Sequence, residues 1–130
     1  MSSGVETVEI IDTWLWARLS GDDELMDAIG GTDNLVGTLA HAAIGTPYIA
    51  YFLSSSRDIY TVKAVSEGAT WSIVAPIARR IDSLLDGVNT TTPNGDLSCV
   101  REGIVQYPEV EQATQYRHLG GTYRFRANSH

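Results

Sequence analysis

The stretch IYTVKAVSEGATWSIVAPIARRIDSLLDG, residues 59–87, decides the fold, because it alone contains a helix pattern whose apolar and polar residues separate into two unbroken arcs. At about 100° per residue, Ile73, Val74, Ile77, Ala78, Ile81, Leu84 and Leu85 share one side of that helix. Ser72, Arg79, Arg80, Ser83 and Asp86 take the other, so the helix lies across a surface with one face dry and one wet. Before it, Ile59 to Val65 is rich in β-branched and aromatic residues, which favours a strand. A strand feeding a one-sided helix begins a layered α/β core. Thr70 or Ser72 is placed to cap the helix start, and Gly87 follows its last periodic residue as a stop. Pro76 points to the wet face and reads as an early-turn or kink position.

Upstream, Val5 to Ser20 reads as a first helix with an apolar stripe of Val8, Ile11, Leu15 and Leu19. Trp14 widens the stripe beside Ile11. Trp16 falls outside it, among Glu9 and Asp12, and a large aromatic there is covered either by another part of the same chain or by a second subunit. Ile10 lies nearly opposite the stripe and reads as a single exposed apolar residue. Asp22 to Ile29 forms a short helix with acids in its first turn, ended by Gly30-Gly31. Thr32 to Thr46 reads as a loop with a short strand. Pro47 marks the entry to Tyr48–Leu53, whose continuous apolarity predicts a strand buried on both faces or central in its sheet. The following Ser54 to Asp58 turn makes it an antiparallel hairpin with the strand from Ile59.

Downstream, Thr92-Pro-Asn-Gly-Asp96 is a turn signal. Leu97 to Gln106 follows as a strand interrupted by Gly103, and Tyr107 to Tyr116, polar and acidic, reads as a loop or short helix. The last strand alternates: Leu119, Tyr123, Phe125 and Ala127 face one way, and His118, Thr122, Arg124 and Arg126 the other. The paired Gly120-Gly121 reads as a bulge or turn at its start. These elements predict an α+β single domain spanning residues 1–130, with a mostly antiparallel sheet of about four or five strands packed by a long amphipathic helix and an N-terminal helix.

The chain has 130 residues, enough for one domain with a sizeable core. With 16 acidic and 9 basic residues its net charge is −7. That argues against gripping nucleic acid, which needs a basic footprint, but an acidic wall lets a duplex slide past. The single cysteine, Cys99, excludes an internal disulfide framework and fits a reducing compartment. No export signal is visible at the N-terminus, and the longest apolar run, Pro47 to Leu53, falls short of the ~20 residues a membrane span needs. Asn89-Thr90-Thr91 matches a glycosylation sequon that carries no meaning without export.

Catalytic templates find no match. His41, His118 and His130 lack metal-ligand spacing; His118, on the polar face of a strand, reads as solvated. Gly30-Gly31 and Gly120-Gly121 lack the spacing of a phosphate cradle. Cys99 reads as an inert buried thiol, and Asp22, Asp23 and Glu24 as helix-start acids. The expectation is no catalytic, cofactor or metal site, and no enzyme. The candidate subunit-interface residues are Trp16 with Arg79, Arg80, Arg124 and Arg126. These arginines read either as a solvated, charge-mixed surface or as partners for the acidic face of another copy in head-to-tail contacts. Two loops, Val88 to Asp96 and Tyr107 to Tyr116, are candidate partner-facing segments through Asn94, Gly95, Glu109 and Glu111.

The order of elements resembles a known family. A helix ending Leu19-Ser-Gly-Asp, an acidic helix through Leu25 and Ile29, and the Gly45-Thr-Pro-Tyr-Ile-Ala-Tyr51 strand entry come first. The Ile59-Tyr-Thr-Val-Lys-Ala strand, the helix ending Ile81-Asp-Ser-Leu-Leu-Asp-Gly87 and the closing Thr122-Tyr-Arg-Phe-Arg126 strand follow. Together they resemble the tail-completion, or tail-terminator, proteins of long-tailed bacteriophages over nearly the whole chain, the small-residue stretch Thr32 to Ile44 departing from the pattern. The resemblance implies a virion protein assembled in the host cytoplasm, a homohexameric ring that caps the tail tube protein. It would present a docking face to the head–tail connector or stopper, with DNA passing through unread. Neighbouring roles are another connector or neck protein, or the tube subunit itself. A different class is a small α/β enzyme or ligand-binding domain, which would need a pocket containing His118 or Cys99.

Overall fold

The structure is a computed structural model that describes residues 4–37, 45–54 and 58–129. His41, His130, residues 38–44 of the stretch expected as a loop with a short strand before Pro47, and the middle of the Ser54 to Asp58 turn lie outside the described residues.

Helix α1 (Gly4–Ser20) is followed by α2 (Asp23–Ile29) and a single 3-10 turn (Thr32–Asn34). Strands β1 (Leu35–Val36), β2 (Tyr48–Leu53) and β3 (Ile59–Glu67) come next, then α3 (Val74–Leu85). Strands β4 (Val88–Thr92), β5 (Gly95–Glu111) and β6 (Thr114–Ser129) complete the chain. The fold is α+β. Its sheet has six strands in the order β1-β2-β3-β6-β5-β4, more than the four or five expected. All neighbours are antiparallel except β1 and β2, which run parallel.

One face of the sheet carries the helices and the main core. Ile11, Leu15 and Leu19 of α1, Leu25 and Ile29 of α2, and Val74, Ile77, Ile81 and Leu85 of α3 pack on alternate residues of the strands. Tyr60, Val62 and Ala64 of β3 and Tyr123, Phe125 and Ala127 of β6 supply the sheet side. The ring of Phe125 is met edge-on by Tyr60, at 5.4 Å between centroids, and by Trp14, at 6.1 Å. The opposite face carries a second cluster, Tyr48, Ala50 and Val65 with Phe52 and Tyr116. Strand β2 therefore contributes to both clusters, as its unbroken apolar run requires.

The long helix sits as its periodicity demands, with two local differences, at Ile73 and at its start. Ile73 precedes α3 and is exposed. The Thr70 and Ser72 hydroxyls bond each other at 2.9 Å, and no side chain caps the helix. Pro76 lies in the first turn, as expected, where its missing N–H costs little. Gly87 stops the helix with φ of 80° and turns the chain into β4, its N–H donating to the Cys99 carbonyl at 2.9 Å.

Four expectations are corrected by pairing that sequence spacing does not reveal. Residues 88–92, expected as loop, form β4 against the start of β5. The segment Tyr107 to Tyr116, also expected as a loop or short helix, is the tip of a long β5–β6 hairpin. It is closed by Gln112 and Ala113 with φ of 50° and 67°, the backbone twist tight hairpins favour. Gly120-Gly121 is no bulge: both lie inside β6, and a Cβ on Gly120 would overlap the Val62 carbonyl and stand 2.5 Å from the Lys63 Cα. The bulge lies instead in β5, at Arg101/Gly103. Finally, Ile10 is buried, because the β4–β5 turn wraps beside Ile10, Thr13 and Trp14 and widens the covered arc of α1.

Candidate functional site

The sheet order leaves one long strand edge bare. Strand β4 covers β5 only from Gly95 to Cys99. From Val100 to Glu111 the outer edge of β5 has no partner strand among the described residues. Along it Val100, Ile104, Tyr107 and Val110 are exposed. Within this span the Arg101 N–H donates to Asp86 Oδ1 at 2.9 Å, and Pro108 offers no N–H at all. Charged neighbours, the Arg101/Gly103 bulge and a proline are devices that keep such an edge from pairing indiscriminately.

Beside this edge runs an open groove of about 420 Å³ between α3 and β5. Ala75 and Ala78 of α3, Ile104 of β5 and Leu119 and Tyr123 of β6 give it apolar walls. Its charges are Arg79, Arg101 and Asp82. Arg101 lies 3.5 Å from Asp82, which also accepts from the buried Tyr123 hydroxyl at 3.0 Å. Burial and that bond hold the Tyr123 phenol strongly in its protonated form. Arg79 is exposed and makes no ion pair among the described residues, so the groove carries one uncompensated positive charge.

The other predicted interface residues divide into free and engaged. Trp16 is 42% exposed on the face of α1 turned from the core, with Glu9 and Asp12 also exposed. Arg126 is exposed and forms no ion pair among the described residues. Arg80 is engaged within the chain, its guanidinium donating to both oxygens of Asp22 at 2.6 and 3.1 Å. Arg124 bridges Asp58, at 2.7 Å, and Glu102, at 2.7 and 3.1 Å. Asn94 stays exposed in the β4–β5 turn, whereas Gly95 is buried in β5. Glu109 and Glu111 are exposed on the hairpin, and Glu109 is tied to His118.

His118 is a correction to the expected solvated imidazole. It is 5% exposed, stacked beneath Tyr107 at 4.3 Å between centroids, with Nε2 2.8 Å from Glu109 Oε1. That geometry puts the proton on Nε2, leaving the buried Nδ1 without a partner. Burial pushes its pKa down, and Lys63 adds to the shift against the opposing pull of Glu109. The Lys63 ammonium, itself buried, donates to the Tyr107 hydroxyl at 2.7 Å and lies 5.7 Å from the Phe52 ring centroid. On the helix-free face of the sheet these contacts tie β5 and β6 to β3. Periodicity assigned His118 its face but missed what covers it, because Tyr107 stands opposite it in β5, eleven residues upstream.

Cys99 lies in the core, and burial raises its thiol to about 12. Neither His118 nor Cys99 lines the groove beside α3 or the smaller one between α1 and the β4–β5 turn. Among the described residues no cluster of His, Cys, Asp and Glu is arranged to hold a metal ion. Comparison of the chain with protein-family models, with curated proteins and with solved structures finds no match.

Proposed function

We propose that this chain is a structural virion protein, a ring-forming subunit that caps the tail tube of a long-tailed phage and joins it to the head-side connector. The observation that carries the reading is the bare outer edge of β5 from Val100 to Glu111, with Val100, Ile104, Tyr107 and Val110 exposed along it. An unpaired edge presents free backbone donors and acceptors to which another chain can add. The bulge at Arg101/Gly103, the occupied Arg101 N–H and Pro108 limit promiscuous strand addition along it. The net charge of −7 suits a ring through which DNA passes without being held. Its partners in this reading are other copies of itself, the tail tube and the connector, and its work is binding rather than catalysis.

The test is the mass of the purified protein across a concentration series, by light scattering coupled to size exclusion, alone and with added tail tubes. A ring-sized species near six times 14.1 kDa, in solution or nucleated on tube ends, is the expected result. A strict monomer under both conditions overturns the reading.

A further inference from the structure

We propose that the groove between α3 and β5 receives Trp16 of a second copy, so that copies join head to tail; this deepens the ring reading and rests on it. Trp16 projects from the outer face of α1, with the exposed Asp12 about one turn and the exposed Glu9 about two turns before it. The groove offers Ala75, Ala78, Ile104 and Leu119 as apolar walls and the unpaired Arg79 as its excess charge. An aromatic side chain preceded by two acids on its helix thus meets an apolar slot carrying a free cation, which is complementary in both polarity and sign. A volume of about 420 Å³ accommodates an indole, and seating one there would also cover Ile104, now 62% exposed. Trp16 does not line the groove of its own chain. The two patches are different surfaces, so the contact is heterologous and propagates from copy to copy until a ring closes.

The experiment uses two single variants at exposed positions, Trp16→Glu and Arg79→Glu, each checked for native circular dichroism. Either change alone is expected to weaken association of the full chain at least tenfold, as loss of a central aromatic or arginine anchor does. The mixture is the decisive arm. Trp16→Glu keeps an intact groove and Arg79→Glu keeps an intact Trp16, so the two together form a one-to-one dimer and stop there. A third variant, Glu9→Arg combined with Arg79→Glu, is expected to recover association. Single variants that assemble like the wild type overturn the groove proposal while leaving the ring reading standing. A wild-type chain that never assembles, even on tail tubes, overturns the ring reading and the proposal with it. A mixture that stays monomeric while the wild type assembles overturns the head-to-tail pairing.

Discussion

The carboxylate of Asp22 is shared between two helices: it accepts from the Leu25 N–H at 3.0 Å, capping α2, and receives the Arg80 guanidinium of α3 at 2.6 and 3.1 Å. One side chain thereby starts the short helix and fixes it against the long one. Asp22→Ala removes both functions and is expected to lower stability by about 2 kcal/mol. Asp22→Asn keeps a capping oxygen and loses the ion pair, so about half that loss is expected. Chemical denaturation of the two variants beside the wild type checks the order.

The same contact predicts an acid-sensitive increment of stability. The bond from Arg80 is the main reason the Asp22 carboxyl is held below the ordinary carboxylate range, with the Leu25 N–H adding to it against the effect of burial. A folded-state pKa lower than the unfolded one means the contribution is complete above the unfolded value. It fades as pH falls through the lowered one. The stability gap between wild type and Asp22→Asn should therefore be constant at neutral pH and shrink below about pH 4. A gap that holds at pH 2.5 contradicts this.

His118 runs the same sign in a different window. Its folded pKa is lowered, first by burial and then by Lys63, so the unfolded chain takes up the proton first. Stability is expected to be full above about pH 6.5 and to decline as the solution is acidified below it. His118→Gln should flatten that segment of the pH profile. Long-range nitrogen correlation spectra of the imidazole should show the neutral Nε2–H form at pH 6.5.

Gly120 of β6 stands opposite Lys63 of β3. Its missing Cβ leaves room for backbone atoms of Val62 and Lys63, which cannot swing aside as a flexible side chain would. Gly120→Ala is expected to cost about 3 kcal/mol by forcing the strands apart, read as a lowered midpoint of thermal or denaturant unfolding. Gly103→Ala meets only the Thr122 hydroxyl, at 3.0 Å, and should cost less.

Cys99 should be chemically silent in the native protein. It is 2% exposed and its thiol is raised to about 12 by burial, with Asp86 and Asp82 adding to the shift. A disulfide reagent at pH 8 is expected to label it only at the rate of unfolding, so labelling and unfolding rates should coincide across a denaturant series.

Local periodicity carried much of the architecture. The arcs of α3 need only its own residues, and all its expected large apolar positions from Val74 to Leu85 are buried. The β2–β3 hairpin and the inward set Tyr123, Phe125 and Ala127 of β6 follow from alternation and turn chemistry in the same way. The candidate surface was partly legible too: Trp16 broke its helix pattern, and it is exposed.

What escaped was written in partners far along the chain. The Tyr107 to Tyr116 segment forms strand although its composition reads as loop, because most of both faces at the hairpin tip meet solvent and no alternation is imposed. Its turn uses Gln112 and Ala113 in place of an Asn-Gly signal. Arg79 and Arg80 are adjacent in sequence, yet only Arg80 reaches Asp22, so which cation stays free was settled by how α2 packs on α3.

The sequence by itself determined the identities of the helices, the hairpin and the inward faces, since these depend on repeats of 3.6 and 2 residues within one segment. Tertiary structure alone decided the sixth strand, the covering of Ile10 and His118, and the bare edge beside the groove of α3. Those depend on which distant strands pair and which surfaces they leave uncovered, and no local period encodes that.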